Sequence, residues 1–195
     1  MDLINRTFIG VRVPPELFAT IDHALMHVKR KPGILDMRWN QPSEYLLNFV
    51  TLGELSIDTI SRVSQVIGPL VSQHRQFSLV LEKFGGLPNM IQPRFAVLQL
   101  TGEGAEASVQ LAQSLDAATR GLTPPREGKP FQPNTVMGRI KTESEQMRVA
   151  LGRALKFPEH PPFGVWNVTH VELLISSAST SGMGYKAVET FPLQA

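Results

Sequence analysis

Cysteine is missing from all 195 residues. That removes disulfides, thiolate zinc sites and a cysteine nucleophile. Charge is sparse, at 18% of residues, and almost balanced: 19 Lys and Arg stand against 17 Asp and Glu, for a formal net charge of +2. Such a balance admits an anionic ligand without demanding nucleic acid. No apolar run reaches membrane-spanning length, and the opening MDLINRTFIG has no signal-peptide pattern. The expectation is therefore a cytoplasmic protein with no membrane partner. Histidine is scarce too: His23, His27, His74, His160 and His170 leave 28–73 and 75–159 without an imidazole. The remaining composition, 42% hydrophobic, is ordinary for a globular domain and sufficient for one sizeable core.

Periodicity divides the chain into alternating elements. Arg6–Val13 alternates as a strand, with Thr7, Ile9, Val11 and Val13 on one face and Arg6, Phe8, Gly10 and Arg12 on the other. Leu17, Phe18, Ile21, Leu25 and Val28 recur at helical spacing, and Lys29 to Gly33 closes that helix with cations and a breaker. A loop containing Trp39 leads to Pro42–Glu54, PSEYLLNFVTLGE. This stretch reads as a strand ending in a Gly53 turn, with Leu46, Asn48 and Val50 on one face and Leu47, Phe49 and Thr51 on the other. A helix capped by Ser56 carries Ile57, Ile60, Val63, Ile67, Leu70 and Val71. Phe77–Lys83 reads as a strand, Gly85 to Pro88 as a turn and Arg94–Leu100 as a strand, followed by a helix over 105–119. Gly121–Pro130 is the most loop-like segment. Asn134–Ile140 is a strand, and a helix with a Thr142–Glu145 capping box follows. After a Pro-rich connection over Phe157–Phe163, Val168–Ser176 and Tyr185–Phe191 form a closing hairpin. The second half repeats the layout of the first without a residue-level repeat. An α+β fold of antiparallel sheets with helices on one face follows.

Four blocks resemble, in order, the RNA 2',3'-cyclic phosphodiesterases, also called 2'-5' RNA ligases, of the two-histidine phosphoesterase superfamily. Arg6–Pro14 resembles the opening strand of that family. Pro42–Glu54 resembles its Pro-x-x-Leu-His-x-Thr-Leu-x-Phe-Leu-Gly-Glu segment, with Leu52-Gly53-Glu54 intact. Pro130-Phe131-x-Pro133, followed by Arg139, resembles its Pro-Phe-x-Pro-His-x-Thr-Leu-x-Arg segment. Val168–Ser176, Gly184-Tyr185 and Phe191-Pro192-Leu193 resemble its closing hairpin. The resemblance implies one bilobal domain over 1–195. Two antiparallel sheets would carry helices on the outside and enclose a central cleft, with two pseudo-equivalent lobes interleaved in sequence.

In that family each lobe sends one His into the cleft, one as general base and the other as general acid, while the Thr/Ser hydroxyls hold the phosphate. In-line attack on a cyclic phosphate needs both proton transfers near neutral pH, which an imidazole supplies. Here Leu46 and Asn48 stand at the first His-x-Thr/Ser motif, and Asn134 and Val136 at the second. Leu and Val have no titratable atom, and a carboxamide hydrogen-bonds without shuttling a proton. The expectation is a degenerate homologue with no catalytic residues and little or no hydrolase activity. It would keep a cleft for an RNA end or a nucleotide with a terminal or cyclic phosphate.

Ligand-binding candidates are Asn48, Asn134, Arg139, Phe8 and Arg12. Asn48 and Asn134 read equally as remnant phosphate contacts or as tolerated polar groups. Arg139 matches the family's phosphate-holding arginine, but its odd spacing from Asn134 requires a strand end or a bulge to bring it to the cleft. Arg12 and Arg6 also read as surface ion-pairing residues. A relocated active site at His170, Glu172 and Arg139 is one alternative. A non-catalytic interaction module with a cleft patched by Leu46 and Val136 is another. His23 and His27, at i and i+4, lack a third ligand, so no metal is expected, nor any cofactor. Trp39 and Trp166 read as packing residues, and Lys29-Arg30-Lys31 as a solvated helix end.

Overall fold

The computed structural model describes residues 5–32, 34, 37–141, 144–156, 162, 164–179 and 182–195. Among them are nine strands and four α-helices. In order these are β1 (Asn5–Arg12), α1 (Phe18–Lys29), β2 (Met37–Trp39), β3 (Leu46–Leu55), α2 (Ile57–Val71), β4 (Phe77–Leu87) and β5 (Phe95–Thr101). Then come α3 (Gly104–Thr119), β6 (Asn134–Ile140), α4 (Glu145–Leu155), β7 (Gly164–Val168), β8 (His170–Ser179) and β9 (Gly182–Pro192). The strands pair antiparallel along the path β7-β4-β5-β6-β3-β1-β8-β9, and β2 adds to β6. One rung, Leu47 opposite Thr135, joins β3 to β6. The single nine-stranded sheet thus has two four-stranded halves, β9-β8-β1-β3 and β6-β5-β4-β7, which meet at β3 and β6. The α+β architecture expected from the sequence is the one found.

The helices bury the stripes their spacing dictates: Ile21, Leu25 and Val28 on α1, Ile60, Val63, Ile67 and Val71 on α2, Leu111 and Leu115 on α3, and Leu151 and Leu155 on α4. Ser56 caps α2 by accepting the Thr59 amide, as expected. Ser144 caps α4 by accepting the Met147 amide; Thr142 and Glu143 of the anticipated capping box lie outside the described residues. So do Gly33 and most of 157–163. The stripes join Ile9, Val11, Leu47, Phe49, Leu98 and Met137 in one core on the helix side of the sheet. Burying each such side chain contributes about 1.5–3 kcal/mol. Phe8, Leu46 and Leu174 form a separate small cluster, with Tyr185 and Ala187 packed on it. It lies on the opposite face, which is the cleft face. No described helix is long and apolar enough to cross a membrane.

Bulges change the phase of both motif strands. Along β3, Asn48 faces Gly10, Val50 faces Ile9, Thr51 faces Phe8 and Gly53 faces Thr7. Phe49 and Leu52 are therefore extra residues. Facing residues in an antiparallel pair share a side of the sheet, so Val50 turns to the core beside Ile9 and Thr51 joins Asn48 at the cleft. This reverses the face expected for Thr51. Gly53, with φ +86°, sits inside the strand at the second bulge rather than in a turn. Along β6, Val136 faces Val97, Gly138 faces Ala96 and Arg139 faces Phe95. Met137 is the extra residue, and Arg139 rejoins Asn134 and Val136 on the cleft face. The bulge that Arg139 required is present.

Other boundaries differ from the expectation for local reasons. Pro42–Glu44 is a 3-10 turn, and the strand begins at Leu46. Gly85 and Gly86 continue β4 instead of turning it. The Gln99 side chain lies where a Cβ on Gly85 would go, within 2.6 Å, so the missing side chain makes room for a neighbour across the sheet. Trp39 belongs to β2 and Trp166 to β7, two strands too short for a periodic signal. The expected Val168–Ser176 strand breaks at Thr169, where the chain passes from the far edge of one sheet half to the other.

Candidate functional site

Beyond the Leu47–Thr135 rung, β3 and β6 diverge, and the fork encloses a cavity of about 530 Å³. Leu46, Asn48, Phe49, Val50 and Thr51 line it from β3, and Asn134 and Val136 from β6. Helix α3 backs it with Gln113, Asp116 and Arg120, and the 126–132 loop roofs it. Leu47 and Thr135 are fully buried on the core side, so the alternation about the rung turns Leu46, Asn48, Asn134 and Val136 to the other side. Leu46, Asn48, Asn134 and Val136 therefore share one cavity. No histidine among the described residues lines it.

The polar groups of the cavity fall into two sets. Asn48 Nδ2 donates to Thr51 Oγ1 at 2.8 Å, and its Oδ1 is buried with no partner. Because the Thr51 hydroxyl can donate as well as accept, the amide can also sit flipped. Either way, one end of the Asn48 carboxamide is left unpaired and out of contact with solvent. Asn134 Nδ2 donates to the Gln132 carbonyl at 3.0 Å. The second set is a cluster of charges that are paired but not balanced, three cations to two anions. Arg120 and Arg126 hold Asp116 at 2.6 and 2.9 Å, and Lys129 meets Glu127 at 2.8 Å. Burial pushes the Asp116 carboxyl up, but hydrogen bonds and charge from Arg120 and Arg126 outweigh it and hold the group below the usual carboxylate range. Asp116 is thus a poor proton acceptor and no proton donor at neutral pH.

Several sequence candidates fall outside the cavity. Arg12 is taken up by Glu172, a buried carboxylate only 3% exposed. The Arg12 guanidinium donates to it at 2.5 and 3.1 Å, and the Arg12 amide at 3.0 Å. Phe8 is buried, with the Tyr185 ring edge-on at 5.2 Å and the Arg6 guanidinium 5.6 Å from its centroid. Arg12 and Phe8 do not line the cavity. Glu172 and His170 do not line the cavity either; His170 Nδ1 lies 3.2 Å from Thr169 Oγ1. Arg139 is exposed at the next cleft-face position after Val136, outside the cavity wall. His23 and His27 stack edge-on, with ring centroids 5.6 Å apart, and no metal-binding cluster occurs among the described residues. Sequence reasoning missed Thr51, which a bulge delivers, and the α3 and loop residues, which carry no motif.

The fork-and-cavity arrangement has counterparts among solved structures. E. coli LigT complexed with 3'-AMP superposes with a TM-score of 0.75 at 21% identity, covering 99% of this chain and 100% of that one. The chain has the LigT fold. TT0787 of Thermus thermophilus, like LigT, matches end to end, over 97% of this chain and 98% of its own, with a TM-score of 0.73 and 24% identity. Usb1 of Kluyveromyces marxianus is more distant than LigT, at a TM-score of 0.59 and 12% identity over 97% and 98%. No family model matches the sequence, and no curated protein does. The α+β fold expected from the four sequence blocks agrees with the LigT fold found.

Proposed function

We propose that this protein binds a phosphate-bearing nucleotide or RNA end in the fork between β3 and β6 and turns it over little or not at all. The two halves of the sheet are read as pseudo-equivalent lobes of one domain, working in the cytoplasm, where RNA ends and free nucleotides both occur. One observation carries the reading: the four motif positions line a single cavity, with carboxamides and aliphatic groups where the chemistry needs imidazoles. LigT has been crystallised with 3'-AMP, NADP+, ATP and phosphate, and the shared fold supports carrying the ligand class across. Asn48 and Asn134 would contact the phosphate, with Arg139 at the rim. Each lost acid or base commonly removes on the order of 10²–10⁴-fold in rate. A site relocated to His170 and Glu172 is disfavoured, because Glu172 is engaged by Arg12 and neither residue reaches the cavity.

Calorimetric titration with 3'-AMP tests the binding claim. Saturable binding is expected, weakened about five- to tenfold by Asn48→Ala or Asn134→Ala, the loss of about one hydrogen bond each. Absence of saturable binding, or affinity indifferent to both substitutions, would overturn it.

A further inference from the structure

Three cleft-face residues stand in register across three adjacent strands. Phe95 on β5 faces Arg139 on β6, and Arg139 faces Arg38 on β2. Met37 and Trp39, the neighbours of Arg38, pack into the core, so Arg38 turns to the same side as Arg139. Two guanidiniums directly opposite each other repel, and a sheet has no structural reason to place them so. Arg38 is partly compensated, with Nη2 donating to Glu44 Oε1 at 2.8 Å. Arg139 makes no hydrogen bond or ion pair among the described residues. Phe95 is 39% exposed, an uncovered ring on a face where Phe8 is covered. The row begins one cleft-face position beyond Val136, and hence beside the cavity.

We propose that Phe95, Arg139 and Arg38 form a subsite for the next nucleotide of a single-stranded oligonucleotide, its base against the Phe95 ring and its phosphate between the two guanidiniums. An aromatic face takes any base, and an arginine fork matches phosphate oxygens. A phosphate there removes the repulsion that the free protein carries. The proposal deepens the nucleotide reading of the cavity, since it makes the ligand a chain end rather than a mononucleotide.

The test compares a 3'-phosphorylated trinucleotide with the corresponding 3'-mononucleotide on the full chain. The trinucleotide should bind at least about tenfold tighter, the scale of one stacked base. Its affinity should also fall with salt more steeply, by about 0.7 in the log–log slope for the added phosphate. Arg38→Gln and Phe95→Ala should erase most of that gain and leave mononucleotide affinity unchanged. Glu44→Gln, which frees Arg38, should enlarge the gain, whereas a purely structural Arg38–Glu44 pair predicts no gain from it. Equal affinity for the two ligands, a gain that survives both substitutions, or equal displacement by an oligo-glutamate peptide would overturn the proposal. Trinucleotide binding that needs Arg38 without any mononucleotide binding would keep the row and sink the cavity reading.

Discussion

The two halves of the sheet use one plan with different contents. In each, the motif strand pairs with a neighbour and bulges one residue past the second motif position, at Phe49 in the first half and Met137 in the second. The registers then align Leu46 with Asn134, Asn48 with Val136, Thr51 with Arg139, Phe8 with Phe95 and Gly10 with Val97. The first half is closed. Leu46 is 5% exposed and packs with Phe8 and Leu174, and it lies so close to Gly10 that a Cβ there would meet Leu46 Cδ1 at 2.9 Å. The second half is open, with Phe95 and Arg139 exposed and Asn134 facing the cavity. The first half is packed around Leu46, and the second is exposed at Phe95 and Arg139.

The sharpest way to break this contrast is to empty matched positions. Leu174 faces Phe8 as Leu87 faces Phe95, yet Leu174 is fully buried and Leu87 only partly so. Leu174→Ala should cost about 3 kcal/mol in urea unfolding and Leu87→Ala about 1 kcal/mol. Equal costs would show that the first half is no better packed than the second.

Restoring histidines gives the next largest effect. Leu46→His would place an imidazole among Phe8 and Leu174. It should cost about 2 kcal/mol of stability and titrate below the ordinary histidine value, because burial disfavours its charged form. Asn134→His, at the open position, should stay within about 0.5 kcal/mol of the parent. Denaturant midpoints and the ring-proton NMR titrations check both statements.

The smallest effect concerns the rim. Asp116 is depressed by Arg120 and Arg126, so its contribution is present above the unfolded carboxylate value, about pH 4, and is lost as pH falls through the lower folded value. Asp116→Asn should therefore lower stability by about 0.5 kcal/mol at neutral pH. The gap from the parent should close in acid, below the folded value. A gap unchanged across that range would show that the charge of Asp116 contributes nothing.

Much of the fold was legible because its signals are local. Ile21, Leu25 and Val28 declare a helix by spacing, and Thr7 to Val13 a strand by alternation. The site was legible in location and misread in phase. Alternation assumes a regular strand, and nothing in FVTLGE reports that Phe49 and Leu52 are extra residues. Strict alternation therefore sends Thr51 to the core, the reverse of what the bulges produce. Strands β2 and β7 escaped because three and five residues around a Trp are too few for a period. Their pairing comes from distant partners, Gly138 and Leu79. The charge cluster of Asp116, Arg120 and Arg126 joins a helix to a loop, a meeting that only the folded chain creates.

The central claim is binding without proton transfer, and phosphorus NMR of a nucleoside 2',3'-cyclic phosphate mixed with the protein observes both parts at once. The account predicts a cyclic-phosphate resonance that shifts or broadens with protein concentration, while monoester signals grow no faster than in buffer. Steady monoester formation that persists in Asn134→Ala would contradict it.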